Sequence, residues 1–118
     1  MIEAITRHQT NARMSRVVVH NGTAYLAGVV AADHSGDIKA QTSEALSRID
    51  EFLASVGSDK TRLLSVQIWL KDIANDFQGM NEVWDAWMPD GAAPARATCQ
   101  APLATPDMLV EIIVTAAV

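Results

Sequence analysis

Residues 94–114 read PARATCQAPLATPDMLVEIIV, and the reading of this stretch decides the architecture. Two apolar segments, predicted as strands over 95–102 and 109–117, flank the turn Thr105-Pro106-Asp107. Proline presets one turn dihedral there, and the aspartate side chain can hydrogen-bond its own backbone. Arg96 opens the first segment. Fifteen residues later Glu111 interrupts Leu109-Val110-Glu111-Ile112-Ile113-Val114, which is otherwise purely aliphatic. A carboxylate inside such a strand costs free energy unless something pairs with it or uses it. Arginine is a planar, permanently charged fork that can grip a carboxylate through two parallel hydrogen bonds. The two residues together point to a small site for an anionic organic molecule, with a second charged group nearby.

Working back toward the N-terminus, residues 75–88 carry an apolar stripe at helical spacing: Phe77, Met80, Trp84, Trp87 and Met88. A helix is expected to begin near Asn75 or Asp76 and to stop at Pro89-Asp90-Gly91. Before it, Leu64, Val66, Ile68 and Leu70 alternate with Ser65, Gln67, Trp69 and Lys71, as in a strand with one buried face. An earlier helix runs from an Asp37 N-cap to Gly57, with Ile38, Ala45, Leu46, Ile49, Leu53 and Val56 on one side. Asn21-Gly22 is a tight hairpin turn between strands 16–20 and 23–27. Residues 2–8 are expected to form a first strand, and 9–15 an irregular polar segment. The order is strand, hairpin, helix, strand, helix and two strands. It predicts an α+β fold: one mixed sheet with two helices packed on one face. The opposite face still carries apolar side chains and calls for a cover. Identical subunits, three around a closed ring, are expected to supply it.

The chain has 118 residues, which fits a single domain spanning 1–118. Its formal charge is −5, and its nine lysines and arginines are scattered, so no basic stripe marks a nucleic-acid partner. The single cysteine, Cys99, excludes an intrachain disulfide and fits a reducing compartment. No apolar run approaches the length needed to span a membrane, so no membrane partner and a cytoplasmic location are expected. His8, His20 and His34 lack metal-ligand spacing, and neither a phosphate-binding loop nor a dinucleotide fingerprint is present.

The succession of elements, with Pro94-Ala95-Arg96 and Val110-Glu111-Ile112 near the end, resembles the YjgF/Rid family of reactive-intermediate deaminases over nearly the whole chain. Ala27-Gly28 matches the family's glycine after the hairpin. The segment Leu64 to Asp72 looks like its central strand, and Asn81 through Trp87 resembles its Asn-x-x-aromatic-x-x-aromatic helix. The resemblance implies a chorismate-mutase-like fold, a homotrimer with clefts between subunits, and hydrolysis of small 2-imino acids to 2-keto acids without metal or organic cofactor. It implies that Arg96 clamps the substrate carboxylate and that Glu111 orients or activates a water. It also places the Gly28 backbone against the substrate and Trp87 at the cleft from an adjoining subunit.

The chain departs from the family pattern in places. Many deaminating members carry Gly-Pro-Tyr before the hairpin; here Asn11-Ala12-Arg13-Met14-Ser15 stands there, with Met14 at about the tyrosine position. Arg13 becomes a candidate second cation for the substrate, against the alternative of an ordinary surface arginine. The family's frequent serine before the glycine is Ala27. Its frequent cysteine two residues after the arginine is Thr98, a candidate substrate contact, while Cys99 follows one later and would face the other side of the strand.

A carboxylate such as Glu111 can take a proton from water and return one to departing ammonia. Two alternatives stand beside this reading. Arg96 and Glu111 could form a structural ion pair at an interface, or the same cleft could be a non-catalytic small-carboxylate-binding module. A ribonuclease reading is opposed by the acidic charge.

Overall fold

The computed structural model describes residues 2–118. Its strands are β1 (Thr6–Thr10), β2 (Ser15–His20), β3 (Thr23–Leu26), β4 (Leu63–Leu70), β5 (Ala95–Gln100) and β6 (Val110–Ala117); the helices are α1 (Ile38–Ser55) and α2 (Ile73–Trp87). The six strands form one sheet in the order β1-β2-β3-β6-β4-β5. All pairings are antiparallel except β4 with β5, which run parallel through the α2 crossover. The sheet is therefore mixed, and both helices lie on one face, as the element order predicts.

Alternation decides which side chains meet the helices. Val110, Ile112, Val114 and Ala116 of β6 are buried, as are Val66, Ile68 and Leu70 of β4. They pack against Leu46, Ile49 and Leu53 of α1 and Met80 and Trp84 of α2. Burying one such aliphatic side chain stabilises the fold by roughly 1.5–3 kcal/mol, so this layer supplies most of the driving force. The opposite sheet face stays open, with Tyr25 49% exposed on it.

The local signals act as the sequence suggests at several points. Asn21 and Gly22 take φ of 56° and 76°, the left-handed pair a two-residue hairpin needs. The Asp37 side chain accepts the Ala40 amide at the start of α1. At its end Gly57 takes φ of 79°, and the amides of Gly57 and Ser58 return to Ala54 and Leu53.

Four expectations are corrected. β1 begins at Thr6 rather than residue 2 and runs to Thr10, because its limits are set by pairing with β2, from Thr6 opposite Val19 to Thr10 opposite Ser15. The intervening turn closes when the Asn11 carboxamide oxygen accepts the Arg13 and Met14 amides. α2 starts at Ile73, because Asp72 caps it by accepting the Asn75 amide. Leu63 rather than Leu64 faces the core, since the register shifts between Leu63 and Ser65 and leaves Leu64 half exposed. Phe77 lies on the exposed side of α2.

One buried polar side chain fastens the loops above this layer. Gln41 of α1 donates to the carbonyls of His34, Gly36 and Asp107 and accepts the Leu109 amide at 2.9 Å. It thereby ties the loop before α1 to the turn that feeds β6.

Candidate functional site

Arg96 lies on the edge strand β5, in register with Val66 of β4. Cross-strand neighbours share a face, so the arginine leaves the sheet on the helix side with buried Val66. Its guanidinium carbon stands 5.2 Å from the centre of the Trp84 ring. That ring is 6% exposed and offers a flat apolar platform that holds the cation without neutralising it. Among the described residues no carboxylate lies within 4.0 Å of the guanidinium, so its hydrogen-bonding fork is uncommitted. Thr98 is in register with Ile68 and shares the same face, two residues along the strand.

Glu111 occupies the other face. It is in register with Trp69 of β4, and it alternates with buried Val110 and Ile112. Within one chain, Arg96 and Glu111 therefore point away from each other and make no ion pair. Cys99 is also in register with Trp69, so Glu111, Trp69 and Cys99 make one row across the open face. The one-residue offset of the cysteine places it opposite to Arg96, as alternation requires.

Glu111 is seated by Gly28. A methyl group built on Gly28 would lie 1.9 Å from Glu111 Oε2 and 2.9 Å from its carboxyl carbon, so a side chain at position 28 would occupy the space of the carboxylate. The neighbouring residue fixes this segment to β6: Val29 and Ile112 exchange hydrogen bonds of 2.8 and 2.9 Å. Glycine is needed at position 28 for close approach rather than for an unusual backbone dihedral.

Behind Gly28 stand two arginines that sequence reasoning did not single out. Arg16 Nη2 donates to the Gly28 carbonyl at 3.3 Å, and its guanidinium carbon lies 4.7 Å from the centre of the Phe52 ring. Arg48 donates to the Val30 carbonyl and stands 5.7 Å from the same ring. Burial pulls the Arg16 guanidinium below its ordinary range; Arg48 pulls in the same direction and Glu111 opposes both. Arg16 Nε is buried with no acceptor. In sequence, Arg16 only opens a valine run, and nothing there announces the contact.

The remaining candidates are dispersed. Arg13 and Met14 sit exposed on the β1–β2 turn. Trp87 packs at the end of α2, where its Nε1 donates to Asp50 Oδ2 at 3.0 Å and Lys60 Nζ lies 5.3 Å from its ring centre. Trp84, rather than Trp87, backs Arg96. A groove of about 610 Å³ between the helices is lined by Leu46, Val83 and Trp87, with the Lys39–Glu82 ion pair beside them; it includes neither Arg96 nor Glu111. Among the described residues no three His, Cys, Asp or Glu side chains converge as a metal site. Among the described residues no helix is long and apolar enough to cross a membrane.

Comparison with known proteins places this geometry in a lineage. Residues 4–118 match the family model described as endoribonuclease L-PSP. The RutC family protein YoaB of Escherichia coli strain K12 is 45% identical over 114 residues, covering 97% of this chain and 98% of the relative. A crystal structure of a YjgF protein family member from Neisseria meningitidis superimposes with a TM-score of 0.93 at 41% identity, covering 97% of this chain and 94% of that one. A more distant relative, from Acinetobacter baylyi, is named 3-aminoacrylate deaminase RutC; it is 33% identical over 94 residues, covering 75% of this chain and 73% of its own length. The chain belongs to the endoribonuclease L-PSP family, the YjgF/YER057c/UK114 group.

Proposed function

We propose that this protein is an enamine/imine deaminase that hydrolyses small 2-imino acids to 2-keto acids and ammonia, and that it works as a homotrimer of chorismate-mutase-like subunits. The observation that carries the reading is the pair of uncommitted charges. Arg96 is presented on an aromatic platform with no protein anion, and Glu111 is seated on a glycine in a row with the uncharged side chains of Trp69 and Cys99. The deaminase name of the Acinetobacter baylyi relative supports the same direction.

Since the two charges lie on opposite faces of one chain, the reading requires a second copy. In a closed ring, the β5 edge of one subunit abuts the open face of the next. Arg96 of one subunit and Glu111 of its neighbour then line a common cleft. This also covers the open face that carries Tyr25, Trp69 and Ile113.

The chemistry is balanced by one water. Arg96 binds the substrate carboxylate by two parallel hydrogen bonds, with Thr98 beside it and the Gly28 backbone across the cleft. Glu111 accepts a proton from water as oxygen bonds to the C=N carbon. It returns the proton to nitrogen, giving a carbinolamine. It then takes the hydroxyl proton and delivers it to the same nitrogen as the C–N bond breaks, so the carbonyl forms and ammonia leaves. Nothing in the sequence consumes an oxidant or a cofactor. Positioning is the main contribution, because these imines already react with water unaided. Arg13, Met14 and Trp87 are assigned to the rim of the cleft, with Trp87 contributed by an adjoining subunit.

The test is direct. 2-Iminopropionate is generated enzymatically, and its decay is followed with and without the protein. Acceleration that disappears in Arg96→Ala, with the oligomer intact, supports the reading. Equal decay rates with folded wild-type protein rule it out. Saturable Arg96-dependent binding of 2-ketobutyrate without turnover would instead favour the non-catalytic carboxylate-binding module, a reading motivated by Met14 and Ala27 at positions where the resemblance expects tyrosine and serine.

A further inference from the structure

We infer that Trp84 is a positioning residue for Arg96: its ring, braced by Trp87 and through it by α1, holds the guanidinium in the direction from which it grips a carboxylate. The inference rests on the reading of Arg96 as the substrate clamp given above and deepens it.

Arg96 needs such a hold. β5 pairs only with β4, so Arg96 stands on a sheet edge with a strand on one side of it alone. An arginine side chain has several free torsions, and freezing them on a ligand weakens binding. Other arginines of the chain are held by backbone carbonyls: Arg16 by Gly28, Arg48 by Val30 and Arg62 by Ala117. Each such bond uses part of the donor fork. Among the described residues, Arg96 is held instead by the Trp84 ring, 5.2 Å from its guanidinium carbon, and enters no ion pair. The ring attracts the cation through its π electrons and brings no acceptor oxygen to occupy the N–H donors. The fork is thereby aimed, yet free for two parallel hydrogen bonds to a carboxylate.

The ring itself is fixed. Trp84 is buried and belongs to the core cluster with Met80 of the same helix. One turn on, Trp87 meets it with ring centres 5.5 Å apart and a tilt of 52°, inside the range of an attractive aromatic pair. Trp87 Nε1 in turn donates to Asp50 Oδ2 of α1 at 3.0 Å. The line Asp50–Trp87–Trp84–Arg96 runs from one helix through the other to the edge of the sheet. Its ordering is completed when the chain folds, so a carboxylate that arrives later meets a guanidinium already restrained.

The experiment separates aiming from bulk packing. Trp84→Leu keeps an apolar side chain in the core but removes the aromatic ring, whereas Trp84→Phe keeps a ring. By calorimetry, Trp84→Leu should bind 2-ketobutyrate roughly three- to tenfold more weakly than wild type, the range expected when the ligand must immobilise one long side chain. Trp84→Phe should restore most of that loss. In an Arg96→Ala background, Trp84→Leu should weaken binding no further, because the ring acts through the guanidinium. Undiminished affinity in Trp84→Leu, or a loss that persists in the Arg96→Ala background, overturns the inference.

If Trp84→Leu does not fold, a second readout decides the matter without ligand. The chain has six arginines, so the Nε–H region of its ¹⁵N spectrum is short, and Arg96→Lys assigns the Arg96 signal. In wild type that signal should relax as a restrained side chain does, unlike those of exposed Arg7 and Arg13. Asp50→Ala removes the acceptor of Trp87 Nε1 and should loosen Arg96; Asp50→Asn, which keeps an acceptor, should restore the restraint. An Arg96 as mobile as Arg7 in wild type, or one indifferent to Asp50→Ala, overturns the inference. A wild type that binds no 2-ketobutyrate defeats the proposed role of Arg96 instead, and the relaxation data still judge Trp84 separately.

Discussion

Arg96 and Glu111 are both half-buried charges on neighbouring parts of one sheet, yet the chain treats them in opposite ways. Arg96 stands on an edge strand, is supported by the Trp84 ring, and has no carboxylate partner. Glu111 stands on a central strand, wedged against Gly28, with Arg16 and Arg48 holding the backbone around it. The first region is a hook displayed outward, and its energetics depend on what arrives. The second is a fixed seat whose geometry is determined before any ligand binds. A site assembled from two copies of the chain needs both kinds of element: one that reaches and one that stays still.

Substitutions can break this contrast at graded cost. The largest effect is expected at Trp84, which serves the hook and the core together. Trp84→Ala should lower unfolding stability by about 3–5 kcal/mol in a denaturant titration, since a nearly buried indole leaves a cavity. Trp84→Phe should recover much of that stability and keep a ring under Arg96. Gly28→Ala attacks the seat. The added methyl collides with the carboxylate, so Glu111 must move, and imine hydrolysis should fall about a hundredfold while the melting temperature changes little.

Arg96→Ala removes only the hook. Binding of 2-ketobutyrate, measured by calorimetry, should weaken roughly ten- to hundredfold, matching a lost charge-assisted contact of about 1.5–3 kcal/mol. Stability should fall by no more than about 1 kcal/mol, the worth of the contact with the Trp84 ring, because no protein group relies on that guanidinium for an ion pair. At the small end, Lys39→Ala breaks the exposed Lys39–Glu82 pair at the groove between the helices. Solvent screens that pair, so neither the denaturant midpoint nor activity should change measurably.

The sequence announces those features that are local. Asn21-Gly22, the Asp37 cap, Gly57 and the alternation through β4 each encode their structure within a few residues, and the molecule follows them. It is less explicit where a partner strand sets the limits. The ends of β1 come from its register with β2, and the shift that turns Leu63 inward comes from β6. The same division runs through the site. Arg96 and Glu111 are conspicuous because each breaks a local pattern. That they leave opposite faces follows from the registers of Val66 with Arg96 and of Trp69 with Glu111, which no single segment contains. Trp84 reads as another apolar position on a helix stripe, and Arg16 as the start of a valine strand. Their roles arise from tertiary contacts alone.

The central claim is that the outward hook of one subunit and the fixed seat of the next serve one small molecule. A crystal structure of the protein soaked with 2-ketobutyrate tests it most directly. The ligand carboxylate is expected on the guanidinium of Arg96, with its keto carbon facing Glu111 of a neighbouring subunit. A ligand bound away from Arg96, or an assembly in which no Glu111 comes within one ligand length of any Arg96, would contradict it.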